Sequence, residues 1–191
     1  MRVLAVLPVF AAAVLGACNN PFGVLPASID NVVDTVEMFA VNGTDINKPS
    51  GYILASRVPI RLGIDVSSYN FDFIYRIGPN GTPQFVPYYV VAPGADTTAN
   101  GKSGFLPTTD DFDAITDAQQ TGYVVNAPQD LVVGQTMYAR SGLPNGCFLS
   151  IPYYAKLQVI SIDRVARSVR FRVLVDINCG YRGLQTGIPS Q

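Results

Sequence analysis

The three cysteines of this chain, Cys18, Cys147 and Cys179, have its most distinctive chemistry. A cysteine acts as a nucleophile when its thiol is deprotonated, which usually requires a neighbouring imidazole. The chain has no histidine, which excludes Cys-His and Ser-His-Asp catalysis, histidine-ligated zinc or haem, and imidazole acid–base chemistry. The cysteines are therefore expected to be structural or modified. We predict neither a catalytic residue nor a cofactor.

A second group with potential chemistry is acidic. Carboxylate oxygens are the ligands that calcium prefers, so one cluster is a weak candidate for a metal site: Asp110, Asp111, Asp113 and Asp117. Its spacing lacks the D-x-D-x-D-G pattern and the distal glutamate of a calcium loop, and acids in the first turn of a helix explain it better. The other carboxylates form no recognisable glycosidase pair. An aspartate-dependent hydrolase is therefore the least favoured function.

Two pairs of adjacent tyrosines form a possible ligand surface, namely Tyr88, Tyr89, Tyr153 and Tyr154. Adjacent residues of a strand point to opposite faces, so one ring of each pair is expected to be exposed. The chain has no tryptophan, and these tyrosines would have to replace it in stacking on a sugar. Ordinary decoration of a sheet surface explains the pairs equally well.

The N-terminus has the order of features found in an export signal. Arg2 precedes an apolar run from Val3 to Leu15, broken only by Pro8. As a helix this run is about 20 Å long, too short for a hydrocarbon core of about 30 Å. It fits the apolar region of a secretory signal peptide.

The run ends in Leu15-Gly16-Ala17-Cys18, which resembles the lipobox of bacterial lipoprotein precursors. The resemblance implies cleavage after Ala17, attachment of lipid to Cys18, and a cell-envelope location facing the periplasm or in the outer membrane. Residues 1–17 would be the signal peptide, and residues 18–28 the lipidated end and tether. The alternative is ordinary cleavage after Ala17, for which Leu15 is bulkier than the favoured small residue.

The two remaining cysteines are predicted to form a disulfide. An exported protein matures in an oxidising compartment, and Cys147 and Cys179 flank a predicted hairpin. Their bridge would close a loop of about 33 residues, contributing about 3.7 kcal/mol if it is unstrained. The alternative is a pair of inert buried thiols.

Composition favours strands. Hydrophobic residues make up 48% of the chain and charged residues 14%, below the roughly 25% typical of a soluble domain. The formal net charge is -1, without the clustered basic surface that nucleic acids require. Val, Ile, Thr, Tyr and Phe are abundant, with Gly and Pro between them, as in strands joined by turns. We therefore predict an all-β protein that does not bind nucleic acid.

Segments that alternate between apolar and polar residues predict the strands. The strongest pattern is a hairpin of 155–162 and 169–177, with further strands at 32–41, 51–56, 58–66, 71–77, 84–91 and 131–140. In the hairpin's second strand Val169, Phe171, Val173, Val175 and Ile177 should face inward, and Arg170, Arg172 and Asp176 outward. The hairpin arginines, Arg164, Arg167, Arg170 and Arg172, are expected to protect a sheet edge, with lipid headgroups or an acidic partner as the alternative.

One short helix is predicted over 110–119, with Thr109 as its N-cap and Phe112 and Ile115 docked on a sheet. The whole pattern predicts a single antiparallel β-sandwich or open barrel of about seven to nine strands over 29–184. Residues 185–191 are predicted to be a loose tail.

The segments Tyr154–Leu157 and Asn178–Leu184 resemble small β-rich bacterial lipoproteins of uncharacterised activity, which implies no particular chemistry. The favoured function is a non-catalytic binding, accessory or structural module, anchored by lipid at a bacterial membrane surface. Its partner would be an envelope protein complex or a glycan. A carbohydrate- or small-ligand-binding lipoprotein is the alternative.

Overall fold

A computed structural model of the protein describes residues 24–66, 70–93, 102–142, 146–147 and 150–189. The described residues form ten strands: β1 (Val33–Phe39), β2 (Pro49–Ile53), β3 (Val58–Arg61), β4 (Phe73–Ile77), β5 (Pro83–Pro87), β6 (Gly104–Thr108), β7 (Gln129–Asp130), β8 (Thr136–Arg140), β9 (Tyr154–Asp163) and β10 (Ser168–Asp176). A one-turn helix, α1 (Tyr88–Val91), follows β5, and a 3-10 turn covers Phe112–Ala114.

The strands form two five-stranded antiparallel sheets. The first sheet has the order β1-β10-β9-β8-β6, and the second has the order β3-β2-β4-β5-β7. The predicted hairpin is the β9–β10 pair, which occupies the middle of the first sheet. The predicted all-β fold is confirmed in its sandwich form, and the sheets do not close into a barrel.

The core lies between the sheets and is rich in aromatic rings. Phe171 of β10 contacts Tyr52 and Phe85 of the second sheet, with ring centroids 5.9 and 5.2 Å apart. Phe73 packs against Phe85 at 4.8 Å. The alternate residues of β10 that were predicted to face inward are nearly all fully buried: Val169, Phe171, Val173 and Val175. Alternation therefore identified the core face of this strand correctly.

Asp176 lies on the outer face of β10, as alternation predicts, but it is 0% exposed. At this end of the sheet other parts of the chain cover that face. Asn178 donates to the carboxylate of Asp176 and also binds residues 28–29 of the N-terminal segment. The outer face becomes exposed farther along the strand, partly at Arg172 and fully at Arg170.

The predicted helix over 110–119 is wrong, because only Phe112–Ala114 forms a 3-10 turn and no side chain caps it. The backbone of this segment pairs with the C-terminal segment. Ala118 N–H donates to the Arg182 carbonyl at 2.8 Å, and Leu184 N–H donates to that of Thr116. Phe112 and Ile115 nevertheless dock on the first sheet as predicted, and both are buried.

The one-turn helix α1 replaces the end of a predicted strand. Residues 84–91 were expected to continue as one strand, but β5 stops at Pro87. The N–H of the next residue, Tyr88, donates to the Asp72 carbonyl at 3.0 Å, and Ser103 Oγ lies 3.2 Å from the same nitrogen. These contacts end β5 and direct the following residues, α1, over the outer face of the second sheet.

Two further segments differ from the predictions. The strand predicted over 58–66 ends at Arg61, and Leu62 turns into a hydrophobic cluster outside the second sheet. The predicted loose tail is held in place as far as Gly187, which exchanges two 2.9 Å backbone hydrogen bonds with Asn31. Within the described ranges, no helix has the length and apolarity needed to cross a membrane.

Candidate functional site

The disulfide between Cys147 and Cys179 is confirmed. Their Cα atoms are 5.3 Å apart and the bridge spans 32 positions of sequence. It joins the segment after β8 to the segment after β10, and Cys147 is buried. The predicted lipid-bearing residue, Cys18, lies outside the described residues.

The N-terminal segment is fastened beside this disulfide. Asn178 Oδ1 accepts hydrogen bonds from the N–H groups of Ser28 and Ile29, each at 3.0 Å, and its Nδ2 donates to the Ile29 carbonyl. The Ala27 N–H donates to the hydroxyl of Tyr181 at 3.0 Å. The start of the folded domain is thus clamped to the residues next to Cys179. A tether leaving this segment would be attached at the disulfide end of the sandwich.

Asp176 accepts hydrogen bonds from Asn178 of the clamp, and its carboxyl group is buried. Burial raises the pKa of Asp176, and hydrogen bonds from Asn178 and the nearby guanidinium of Arg57 oppose that shift. Asp176 Oδ1 accepts from both the N–H and the Nδ2 of Asn178, each at 2.9 Å. The clamp therefore includes a group that holds its proton more tightly in the folded protein than in the unfolded chain.

This raised pKa predicts a pH-dependent stability. The contribution of Asp176 is complete below the ordinary aspartate pKa of about 4 and is lost as the pH rises through the raised value. Asp176→Asn keeps the oxygen that accepts from Asn178 but cannot ionise. We therefore expect this variant to lose less stability than wild type as the pH rises. Urea unfolding at several pH values would measure it, with the exposed Asp111→Asn as the control. An equal pH dependence in wild type and Asp176→Asn would contradict the prediction.

The four tyrosines predicted as a ligand surface do not form one exposed surface. Tyr154 is only 6% exposed and packs in a cluster on the outer face of the first sheet, where burial raises the pKa of its hydroxyl. Tyr153 is half-buried against the core. Tyr88 packs edge-on against Phe71, with ring centroids 4.9 Å apart, and Tyr89 lies under the ammonium of Lys102. The expected exposed ring of each pair is therefore absent among these four residues.

The four aspartates proposed as a weak metal cluster have separate surroundings. Asp110 accepts from Thr108, Asp117 from Thr116, and Asp113 forms an ion pair with Arg172 at 3.0 Å. The main-chain oxygen of Asp111 accepts the N–H that closes the 3-10 turn. No group of three or more potential metal ligands occurs among the described residues.

The hairpin arginines mostly connect elements. Arg164 donates to the Gly81 carbonyl and Arg167 to the Asn42 carbonyl, so the β9–β10 turn is attached to the β4–β5 loop and to the connection between β1 and β2. Arg172 lies over the ring of Phe112, 4.1 Å from its centroid. Arg170 is exposed. Three of the four arginines therefore have structural contacts within the domain.

A groove with apolar and polar lining residues, on the outer face of the second sheet, has the volume of a ligand site. Its main cavity has a volume of about 650 Å³ and is lined by Val41, Asn42, Val66, Ile74, Arg76, Ile77, Gly78, Pro79, Val90 and Val91. A second cavity of about 270 Å³ is lined by Val41, Thr44, Asp45, Ile46, Ser50, Leu62, Gly63, Ile64 and Val66. Val41 and Val66 belong to both cavities. We call the two together the outer groove.

The sheet and α1 together create this groove. Ile74 and Arg76 point to the outer face of β4, because Phe73 and Tyr75 alternate into the core. Helix α1 lies over the same face and supplies half-buried valines. Ile64, at the rim of the second cavity, is 95% exposed. The main cavity thus has a buried apolar residue, Ile74, in its lining, and the second cavity has an exposed one, Ile64.

No protein-family model, curated protein or solved structure matches this chain. The sequence carried a partial signal for the groove, namely Ile74 on the face of β4 opposite its aromatic residues. The same alternation places Arg76 on that face. The contribution of α1 had no such signal, because it depends on the chain turning out of the sheet at Tyr88.

The chemistry of the outer groove is that of binding. Concave, mostly apolar sites of about 300 to 1,000 Å³ with a few polar groups are typical of small-molecule sites. Its charged lining residues include Arg76, in the main cavity, and Asp45, in the second cavity. Residues of opposite charge in the two cavities would orient a ligand.

Proposed function

We propose that the protein is an exported, non-catalytic binding module, held by lipid on Cys18 at a bacterial membrane surface. The observation that carries the binding role is the outer groove, whose main cavity is lined largely by aliphatic side chains, on a disulfide-bonded sandwich. The lipobox-like Leu15–Cys18 segment supports the anchor, and the Cys147–Cys179 bridge supports maturation in an oxidising compartment. Two or more acyl chains, at about 0.8 kcal/mol per buried methylene, would hold the protein durably on a bilayer.

Of the alternative, a carbohydrate- or small-ligand-binding lipoprotein, the carbohydrate-binding form has weaker support. It relied on exposed tyrosine rings for stacking on sugars, and Tyr154 is buried while Tyr88 packs against Phe71. An aspartate-dependent hydrolase also loses support, because Asp110, Asp113 and Asp117 have separate partners.

The anchor predicts an all-or-none effect of one substitution. Cys18→Ser should abolish incorporation of labelled fatty acid and release the protein from the membrane fraction, because serine offers no thiol to the lipid donor. Metabolic labelling and fractionation of bacteria that produce the full chain would measure both results. The matched control is the double variant Cys147→Ser, Cys179→Ser, which also changes cysteines but should stay labelled and membrane-bound. A Cys18→Ser protein that is still labelled and still fractionates with membranes would refute the anchor.

A further inference from the structure

The lining of the outer groove suits hydrocarbon. Its main cavity is lined by branched aliphatic side chains from several parts of the fold, including Val66, Ile74, Val90 and Val91. None of the described residues that line either cavity is aromatic. Sugars and nucleobases are recognised by stacking on aromatic rings, so this lining disfavours both. Aliphatic walls gain about 0.8 kcal/mol for each methylene they remove from water.

The size of the main cavity suits a chain-like ligand. Its volume of about 650 Å³ has room for an extended hydrocarbon chain. The second cavity, of about 270 Å³, shares Val41 and Val66 with it, so the two cavities are neighbours.

The main cavity has one cationic residue, Arg76, and none of its described lining residues is acidic. Arg76 is half-buried, and its Nε donates to Gln84 Oε1 at 3.0 Å. Gln84 Nε2 in turn donates to Asp130 Oδ1 at 2.7 Å. This chain of hydrogen bonds holds the guanidinium in place through Nε. Its two terminal nitrogens have no hydrogen-bond partner among the described residues, and they can pair with a carboxylate.

We infer that the outer groove binds a long-chain carboxylate, with the hydrocarbon against the valines and the carboxylate at Arg76. This inference rests on the proposed binding function and names its ligand class. The charge distribution also sets the orientation of the ligand. Asp45 lines the second cavity and would repel a carboxylate there, so the apolar end of the ligand points toward Val41 and Val66.

The test is photolabelling of the mature lipidated protein in phosphatidylcholine vesicles. The probe is a long-chain fatty acid that carries a diazirine on its chain, and the labelled positions are mapped by peptide mass spectrometry. We expect labels on peptides that contain Ile74 or Val90, competition by unlabelled fatty acid, and at least about tenfold less labelling with the methyl ester of the probe, which lacks the charge. Labelling confined to residues outside the groove would overturn the inference.

Matched variants make the test specific. Val90→Phe fills the main cavity and should reduce labelling about tenfold, whereas Val165→Phe, at a side chain that is 96% exposed, should leave it unchanged. Arg76→Gln removes the charge and should weaken binding about tenfold, whereas the exposed Arg170→Gln should not. Unchanged labelling in both groove variants would overturn the inference. Competition by an apolar peptide but not by unlabelled fatty acid would also overturn it.

The anchor and the ligand can fail separately. If Cys18→Ser releases the protein from membranes but the groove of the wild-type protein is not labelled, the ligand assignment is wrong and the anchored location stands. If the groove is labelled but Cys18→Ser remains lipidated and membrane-bound, the anchor is wrong and the ligand assignment stands.

Discussion

Replacing both Cys147 and Cys179 with serine is expected to lower the free energy of unfolding by about 2 to 5 kcal/mol. The bridge restricts the unfolded chain across 32 positions, and that stretch contains β9 and β10, the hairpin in the middle of the first sheet. It also joins Cys147 to Cys179, whose neighbour in sequence, Asn178, clamps the N-terminal segment. The loss should therefore include both chain entropy and part of the clamp. Urea unfolding followed by circular dichroism would measure it.

Two comparisons test the cause of that loss. Wild-type protein in reductant should approach the stability of the double variant, and the double variant itself should not respond to reductant. In the unfolded, unreduced mature protein, thiol reagents should leave both positions unlabelled. Labelling there, or a double variant within about 0.5 kcal/mol of wild type, would show that the bridge contributes little.

The second large effect is expected at Asp72, whose carboxylate connects the two sheets. Asp72 is 0% exposed and lies just before β4 in the second sheet. Its Oδ2 accepts from the N–H of Leu54 and its Oδ1 from the N–H of Gly142, each at 2.7 Å. Gly142 follows β8 of the first sheet. We expect Asp72→Ala to cost about 3 to 5 kcal/mol, because it removes the acceptor of two buried N–H groups.

A more conservative substitution separates hydrogen bonding from packing. Asp72→Asn keeps one acceptor oxygen and nearly the same volume, so its loss of stability should be clearly smaller than that of the alanine variant. Asp45→Ala is the control, because Asp45 is exposed and its carboxylate accepts within its own loop, from Asn47. Equal losses for Asp72→Asn and Asp72→Ala would refute the acceptor role, as would an alanine variant within about 1 kcal/mol of wild type.

The successes and failures of sequence interpretation here have physical causes. Alternation along β10 identified Phe171 and its neighbours as core, because a strand's period of two depends only on backbone geometry. The same rule placed Asp176 on the outer face correctly but could not show that residues 28–29 and Asn178 cover it. The helix prediction failed for the same reason. Acids and a capping residue are local signals, and the pairing of Ala118 with Arg182 is not local.

The candidate groove was harder to predict than the disulfide. Two cysteines remain after Cys18 is assigned to lipid, so their number alone suggested the Cys147–Cys179 pair. The groove joins Val41, Val66, Ile74 and Val90, which are far apart in sequence and ordinary in composition. No short motif marks such a site.

The amino-acid sequence by itself determined the β class of this protein, the core face of its C-terminal hairpin and the pairing of its last two cysteines. It also carries the lipobox-like signal from which the anchor is proposed. Only the tertiary structure decided that Asp176 is buried, that Asp72 connects the sheets, and that the outer groove exists. Local sequence sets the direction in which each side chain leaves the backbone. What covers that side chain depends on contacts between residues distant in sequence, and burial, pKa and ligand sites arise from those contacts.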